Sequence, residues 1–313
     1  MHKRIVAIGH IVNDTEPSDH LGGPVSYTSV TAVRLGFDVA IITKCPPNHP
    51  YVTQLQNYGI TVHVLPSKHK TIETNVNIYD EIGHKHFKKA ARQEPITLAD
   101  IKRLPNEIFT DAAIMGVSDS GELELDTFPY LSSLGYFGAL VQGYFREIDA
   151  EQHINHKKWY GDEQNLKGTN VVILSDEDAT INGAFYPDII KSLKKQVDVT
   201  VTTQGHDGST IYTKTGEEIK ITAFPLQRSE TNDFNGAGDV YTAAFFTKFT
   251  ETKDLRLAGT FASLLAGVKL IGIGGIGMDS IPTKAQLNTF VKKNKARVAA
   301  FYAENSVPFP TSF

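Results

Sequence analysis

One cysteine, Cys45, in 313 residues excludes an internal disulfide framework and leaves too few thiolates for a zinc cluster; a reducing, cytoplasmic setting is expected. Long apolar runs are missing too. No stretch approaches the roughly 18 uninterrupted apolar residues of a membrane span. The five residues from Ile5 to Gly9, after His2, Lys3 and Arg4, are too few for a signal-peptide core and read as a strand. A basic block is lacking: 35 acidic and 31 basic residues are interspersed, for a net charge of −4. That balance argues against nucleic acid or an anionic membrane as partner and favours a small-molecule substrate. There is no serine nucleophile elbow, no P-loop G-x-x-x-x-G-K-[ST] and no H-E-x-x-H, nor any internal repeat or low-complexity tract.

What the chain does hold is alternation. Short apolar runs at Arg4 to Gly9, Asp38 to Thr43, Ala112 to Val117, Gly138 to Gln142, Val171 to Leu174 and Val197 to Thr203 read as buried strands. Helix-length segments lie between them, among them Ser26 to Leu35, Tyr51 to Tyr58, Asp126 to Leu134 and Tyr186 to Lys195. This is the pattern of βαβ units on a parallel sheet. Ile60 to Leu65, Thr74 to Tyr79 and Lys85 to Lys89 arrive without intervening helices and are expected to pair as a small, mostly antiparallel sheet; with Ile11 to Leu21 they would form a lid. Glu151 to Gly168, polar and carrying the only tryptophan, reads as an irregular surface excursion. Helices are expected over Leu255 to Ile271 and from Thr283 to about Val298.

The run Asn232 to Asp239, N-D-F-N-G-A-G-D, opens the apolar stretch Val240 to Phe249. Small residues at a helix start leave backbone N–H groups unshielded, and the helix dipole adds positive charge there. Asp239 in the first turn could then take a proton from an attacking hydroxyl while the amides hold a phosphoryl group. An ordinary loop-to-helix junction, with Gly for packing and Asp for the dipole, remains the alternative on spacing alone. Asp14, after the first strand, and Gly22-Gly23, before the first helix, lie where ligands bind in open α/β folds; an Asp could grip paired hydroxyls there. A turn Asp and a tight chain reversal are the plainer readings.

Two motifs are discounted. Gly272 to Gly277 matches G-x-G-x-x-G, but it follows the helix-length segment Leu257 to Leu270 rather than a strand, so a loop between C-terminal helices is expected. His63, His69, His84 and His86 lie in one stretch without an evident carboxylate or thiolate to complete a metal shell, and read as solvated.

In order along nearly the whole chain, these residues resemble the ribokinase-like, or PfkB, family of carbohydrate and nucleoside kinases. The features that carry the resemblance are Gly9 with Asp14, Gly22-Gly23, Arg34-Leu35-Gly36, the run Thr203-Gln204-Gly205-His206-Asp207-Gly208, and Asp233 to Asp239, which keeps the Asp, Gly-Ala-Gly and Asp of the family hallmark. The resemblance implies one ribokinase-like domain over residues 1–313: a three-layer α/β/α sandwich with a mostly parallel central sheet and a small β lid from about 11–21 and 60–90. It implies Asp239 as catalytic base, with Gly236, Ala237 and Gly238 as the anion hole. It implies Asp14, Gly22, Gly23, Ser26 and Arg146 toward the hydroxylated substrate, and Ser175, Thr203, Gly205 and Gly208 toward ATP. Mg²⁺ would be held largely through water near Asp178, with Glu177 as the alternative. Phe234 and Asn235 replace the two hallmark threonines, so a monovalent cation there stays open. Gln142 and Ser26-Tyr27 look more like the inositol-kinase branch. The expected activity is ATP-dependent phosphorylation of a sugar or cyclic polyol hydroxyl, by a monomer or homodimer. A nucleoside, sugar-phosphate or vitamin-alcohol kinase, and a catalytically silent ligand-binding relative, are the rivals.

Overall fold

The computed structural model describes residues 4–15, 18–79, 85–109, 111–159, 163–181, 184–273 and 277–310. Its centre is a nine-stranded sheet. From one edge the strands run Glu218–Ile221, Ser209–Thr213, Val199–Thr203, Val171–Ser175, Tyr136–Leu140, Ala112–Gly116, Arg4–Ile8, Asp38–Lys44 and Thr61–Leu65. The pairings from Val199–Thr203 to Thr61–Leu65 are parallel, and the first two strands extend the edge as an antiparallel hairpin. The three-layer α/β/α expectation is met.

Alternation along each strand builds two cores, because successive side chains point to opposite faces. Ile5 and Ala7 join Val39, Ile114 and Ile173 under the helices Pro24–Arg34, Ala237–Thr252 and Leu255–Ile271. Val6 and Ile8 join Ala113, Met115 and Val172 under Thr127–Leu134 and Asp188–Gln196. Strands buried on both faces read as continuous apolar runs, which is why they stood out in the sequence.

A four-stranded sheet caps one side, in the order His20–Gly22, Val12–Asp14, Glu73–Tyr79, Lys85–Ala91. It is the lid expected from the sequence, with one correction. Thr61–Leu65 is not part of it, but the edge strand of the main sheet, parallel to Asp38–Lys44. The helix Pro50–Asn57 precedes it and makes an ordinary βαβ crossover, so the strand's partner was set by the crossover and not by the strands that follow.

Two further expectations are corrected. Most of residues 151–158 lie exposed, as a surface excursion requires, but Trp159 is not at the surface: it is 2% exposed, its ring stacked on Tyr144 at 5.1 Å and edge-on to Phe145. The helix expected from Thr283 to Val298 is two, Lys284–Lys293 and Lys295–Glu304, broken at Asn294, which leaves helical geometry at φ −114°, ψ 28° while its backbone N–H and side-chain Nδ2 both donate to Phe290 O. No described helix is long and apolar enough to cross a membrane.

Candidate active site

Loops at the C-terminal ends of the parallel strands and the start of the helix Ala237–Thr252 converge on one edge of the sheet. Gly236 caps that helix at φ 73°, in the left-handed region, and a β-carbon on it would overlap the Tyr27 ring. Position 236 therefore accepts only glycine on two counts. Helix geometry leaves the N–H groups of Gly236, Gly238 and Asp239 without intrahelical acceptors, and a β-carbon at Gly238 would meet open space; Ala237, expected beside the two glycines in the anion hole, instead donates its N–H to Phe234 O at 3.4 Å. The backbone is thus bare where an anion would sit.

Asp239 stands in the first turn. Its Oδ1 is sealed from solvent and has no hydrogen-bond partner. Burial pushes its pKa up to about 7; Arg146 and Lys269 pull it down, while Asp14 and Asp178 push it further up. The same four side chains define the site around it.

Asp14 ends the lid strand Val12–Asp14, and its carboxylate lies over Gly22, where any β-carbon would collide with it. Gly23 caps the helix Pro24–Arg34 at φ 85°. Ser26, expected toward the substrate, is fully buried with an unpartnered hydroxyl. Tyr27 beside it has a buried hydroxyl, and burial with the fields of Asp233, Asp239 and Asp14 raises its pKa, so it is neutral at any ordinary pH.

Arg146 reaches Ser118 O (3.4 Å) and Asp178 Oδ1 (3.5 Å), and its Nε is buried without a partner. Asp178 Oδ2 accepts from the Ser175 hydroxyl (2.7 Å) and N–H (3.1 Å), which closes a tight turn at the end of Val171–Ser175. Glu177 is exposed. Thr203 ends the adjacent strand in register with Ser175, and Gly205 and Gly208 follow at φ 55° and 94°. The structure thus brings Asp14, Arg146 and Asp178 within the field of Asp239. Ser175, Thr203, Gly205 and Gly208 flank them, and Ser26 is set back.

Among the described residues, no group of three or more His, Cys, Asp or Glu side chains could hold a metal ion. His84 lies outside the described residues, and His69 Nδ1 is 3.0 Å from the carbonyl of Arg92. The donor set at Asp178 fits Mg²⁺ of the kind that keeps its waters and takes phosphate ligands, since Oδ1 faces only the long Arg146 contact. A monovalent cation does not fit at the hallmark loop. Asp233 Oδ1 accepts from Asn235 N–H (3.0 Å), and its Oδ2 accepts from Gly277 N–H (2.9 Å) and the Ser280 hydroxyl (3.3 Å) and pairs with Lys269 Nζ (2.9 Å). Donors surround this carboxylate where a metal ion would need free lone pairs.

Sequence reasoning missed Lys269 and Tyr27. Lys269 was readable as the lone cation late in the apolar helix Leu255–Ile271; Tyr27 was singled out only, with Ser26, as a mark of the inositol-kinase branch, and nothing local showed its packing under Gly236. It also missed a buried charge cluster behind the lid. Lys89 Nζ pairs with Glu73 (2.6 Å) and Asp119 (3.1 Å) and donates to Ser118 Oγ (3.0 Å). Glu122 accepts from the N–H groups of His10 and Ser118.

The pfkB family carbohydrate kinase profile matches residues 162–281. A 5-dehydro-2-deoxygluconokinase of Clostridium botulinum (strain Alaska E43 / Type E3) is 23% identical over 357 residues, 96% of this chain and 96% of that one. A pyrophosphate-dependent kinase in the ribokinase family, solved with a pyrophosphate analog and myo-inositol, superposes with a TM-score of 0.73 at 22% identity, over 89% of this chain and 99% of that one. Ribokinase from Giardia lamblia gives 0.71 at 15% identity, over 94% and 99%. The chain has the ribokinase fold, and Gly272, which opens the discounted G-x-G-x-x-G run, follows a helix as expected; residues 274–276 of that run lie outside the described residues.

Proposed function

We propose that this chain, a PfkB-type sugar or polyol kinase, transfers the γ-phosphoryl group of ATP to an acceptor hydroxyl through Asp239. The observation that carries the reading is the Asp239 carboxylate: sealed from solvent at Oδ1, unpartnered, with a pKa of about 7, in the first turn of a helix whose opening amides are bare. A base poised near neutrality takes the hydroxyl proton as the new O–P bond forms. The bond from phosphorus to the bridging oxygen breaks, and ADP leaves with that electron pair. Amides of Gly236, Gly238 and Asp239 stabilise the charge on the equatorial oxygens, and Arg146 stands ready to do the same. Mg²⁺ bound with the donor would neutralise phosphate charge beside Asp178. Asp14, whose carboxylate lies against Gly22, supports acceptor binding through paired hydroxyls.

The unpartnered Arg146 Nε favours a second acceptor class, hydroxy acids, of the kind named for the Clostridium relative. Pyrophosphate as donor enters from the myo-inositol-bound neighbour.

The test is product release from ATP and from pyrophosphate across inositols, hexoses, pentoses, aldonic acids and nucleosides, with melting curves of the same mixtures. Acceptor-dependent ADP release, lost in Asp239→Asn, is expected. Ligand-dependent melting shifts without turnover would mark a silent binder instead.

A further inference from the structure

Lys269 is wholly buried, and the acceptor and donor assignments above give it no task. Its ammonium lies 2.9 Å from Asp233 Oδ2 and donates to the main-chain carbonyl of the same residue at 3.0 Å. The Tyr27 ring, which supports Gly236, is centred 5.9 Å from it. Asn232 and Asp233 N–H both donate to Leu270 O, and Asn232 Nδ2 donates to Ile271 O, so the loop before the anion hole is laced to the C-terminal end of the helix Leu255–Ile271. Carbonyls at that end carry partial negative charge, and the Asp233 carboxylate adds to it. A cation is therefore required at this point, or the loop would be held by like charges.

We propose that the Lys269 ammonium is a covalently tethered monovalent cation, standing where a free potassium or ammonium ion would have to bind Asp233, and that it frees phosphoryl transfer by this chain from any need for such an ion. Three facts carry this. An ammonium is a compact point charge with donors for both a carboxylate and a carbonyl oxygen, the two ligand types offered by Asp233. The remaining Asp233 lone pairs are met by N–H and O–H groups, which repel a metal ion. The charge also reaches the site: Lys269 lowers the Asp239 pKa, and although burial lowers the lysine's own pKa, Asp233 first and then Asp239 oppose that shift. Lys269 is a positioning residue, acting through the loop 232–236 rather than on the substrate.

The proposal rests on the kinase reading for its activity arm, so the test has a second arm that needs no turnover. Wild type, Lys269→Met and Lys269→Gln are compared in potassium, ammonium, sodium and tetramethylammonium chloride at equal ionic strength, by melting temperature and by acceptor-dependent ADP release. Wild type should give the same melting temperature and, within about twofold, the same rate in every salt. Lys269→Met should lose about tenfold or more in rate in tetramethylammonium, the scale of weakened anion stabilisation, and recover several-fold with potassium or ammonium. Its melting temperature should rise with those ions and not with tetramethylammonium. Potassium activation of wild type by about fivefold or more would overturn the proposal, even if neither variant folds. So would folded variants whose melting and rate ignore the choice of ion, which would leave Lys269 a packing residue. A salt-specific melting response without any ADP release would keep the tethered cation and sink the kinase reading instead.

Discussion

The Tyr27 ring lies directly under Gly236, so close that the helix carrying Asp239 can start only where residue 236 has no β-carbon. The contact joins the helix Pro24–Arg34 to the start of a helix more than two hundred residues later, and it fixes the direction in which the bare amides at that start point.

Gly236→Ala should therefore cost both stability and rate. A left-handed φ of 73° and overlap with a buried ring add to roughly 2–4 kcal/mol. Calorimetry should show a melting temperature lower by several degrees, and turnover should fall more than acceptor affinity. A variant that melts like wild type would show that Tyr27 yields easily.

Asp239→Asn should cut turnover by about 10² or more while leaving ATP binding intact. In wild type, kcat/KM should rise with pH around the carboxyl pKa of about 7, and the variant should lack that limb. Stability runs the other way. Because folding raises this pKa from 3.8, the stabilising contribution is complete below the unfolded value and is lost as pH rises through about 7, with a ceiling of about 4 kcal/mol. The asparagine variant should gain on wild type between pH 5 and pH 8 in melting experiments. A constant difference across that range would mean the carboxylate is not buried when ionised.

Asp14→Asn should raise KM for the acceptor by about tenfold with a smaller change in kcat. Asp14 also pushes the Asp239 pKa upward, so the rising limb of the pH profile should move to lower pH. An unchanged profile, measured at saturating donor, would separate the two carboxylates.

Lys89→Met should strand Glu73 and Asp119, both nearly fully buried, at a cost of about 3–5 kcal/mol. Burial alone would raise the Glu73 pKa; Lys89 and His10 instead hold it at about 2. Its contribution to wild-type stability is present above about 4.5 and is lost as pH falls toward 2. Urea titrations at pH 6 and pH 3 should find the deficit of the variant smaller at the lower pH. Equal deficits would place the charge compensation elsewhere.

The main sheet was legible because parallel strands covered on both faces are apolar throughout, as in Val171 to Leu174. The candidate base and anion hole were legible for a local reason: Gly236 to Asp239 are consecutive, and their roles depend on one helix start. What escaped was long-range. Thr61–Leu65 looks like the lid strands after it, and only its crossover assigns it to the main sheet. Trp159 sits in a polar segment, yet the aromatic pocket that buries it is formed by Tyr144 and Phe145. The ammonium of Lys269 meets Asp233 across a separation of 36 positions, a pairing that no spacing rule would single out.

The strand order has a consequence for how such a chain can diversify. Asp14, Gly22 and the lid strands hang from the side of the sheet that begins at Arg4–Ile8, whereas Ser175, Thr203 and Gly208 cap strands on the opposite side, and Ala237–Thr252 packs near the boundary. On the kinase reading proposed above, preference for one alcohol over another would be inscribed mainly in the first hundred residues, and preference for one phosphate carrier over another in the stretch from 175 to 208. The two could then drift independently, provided the helix start between them keeps its glycine.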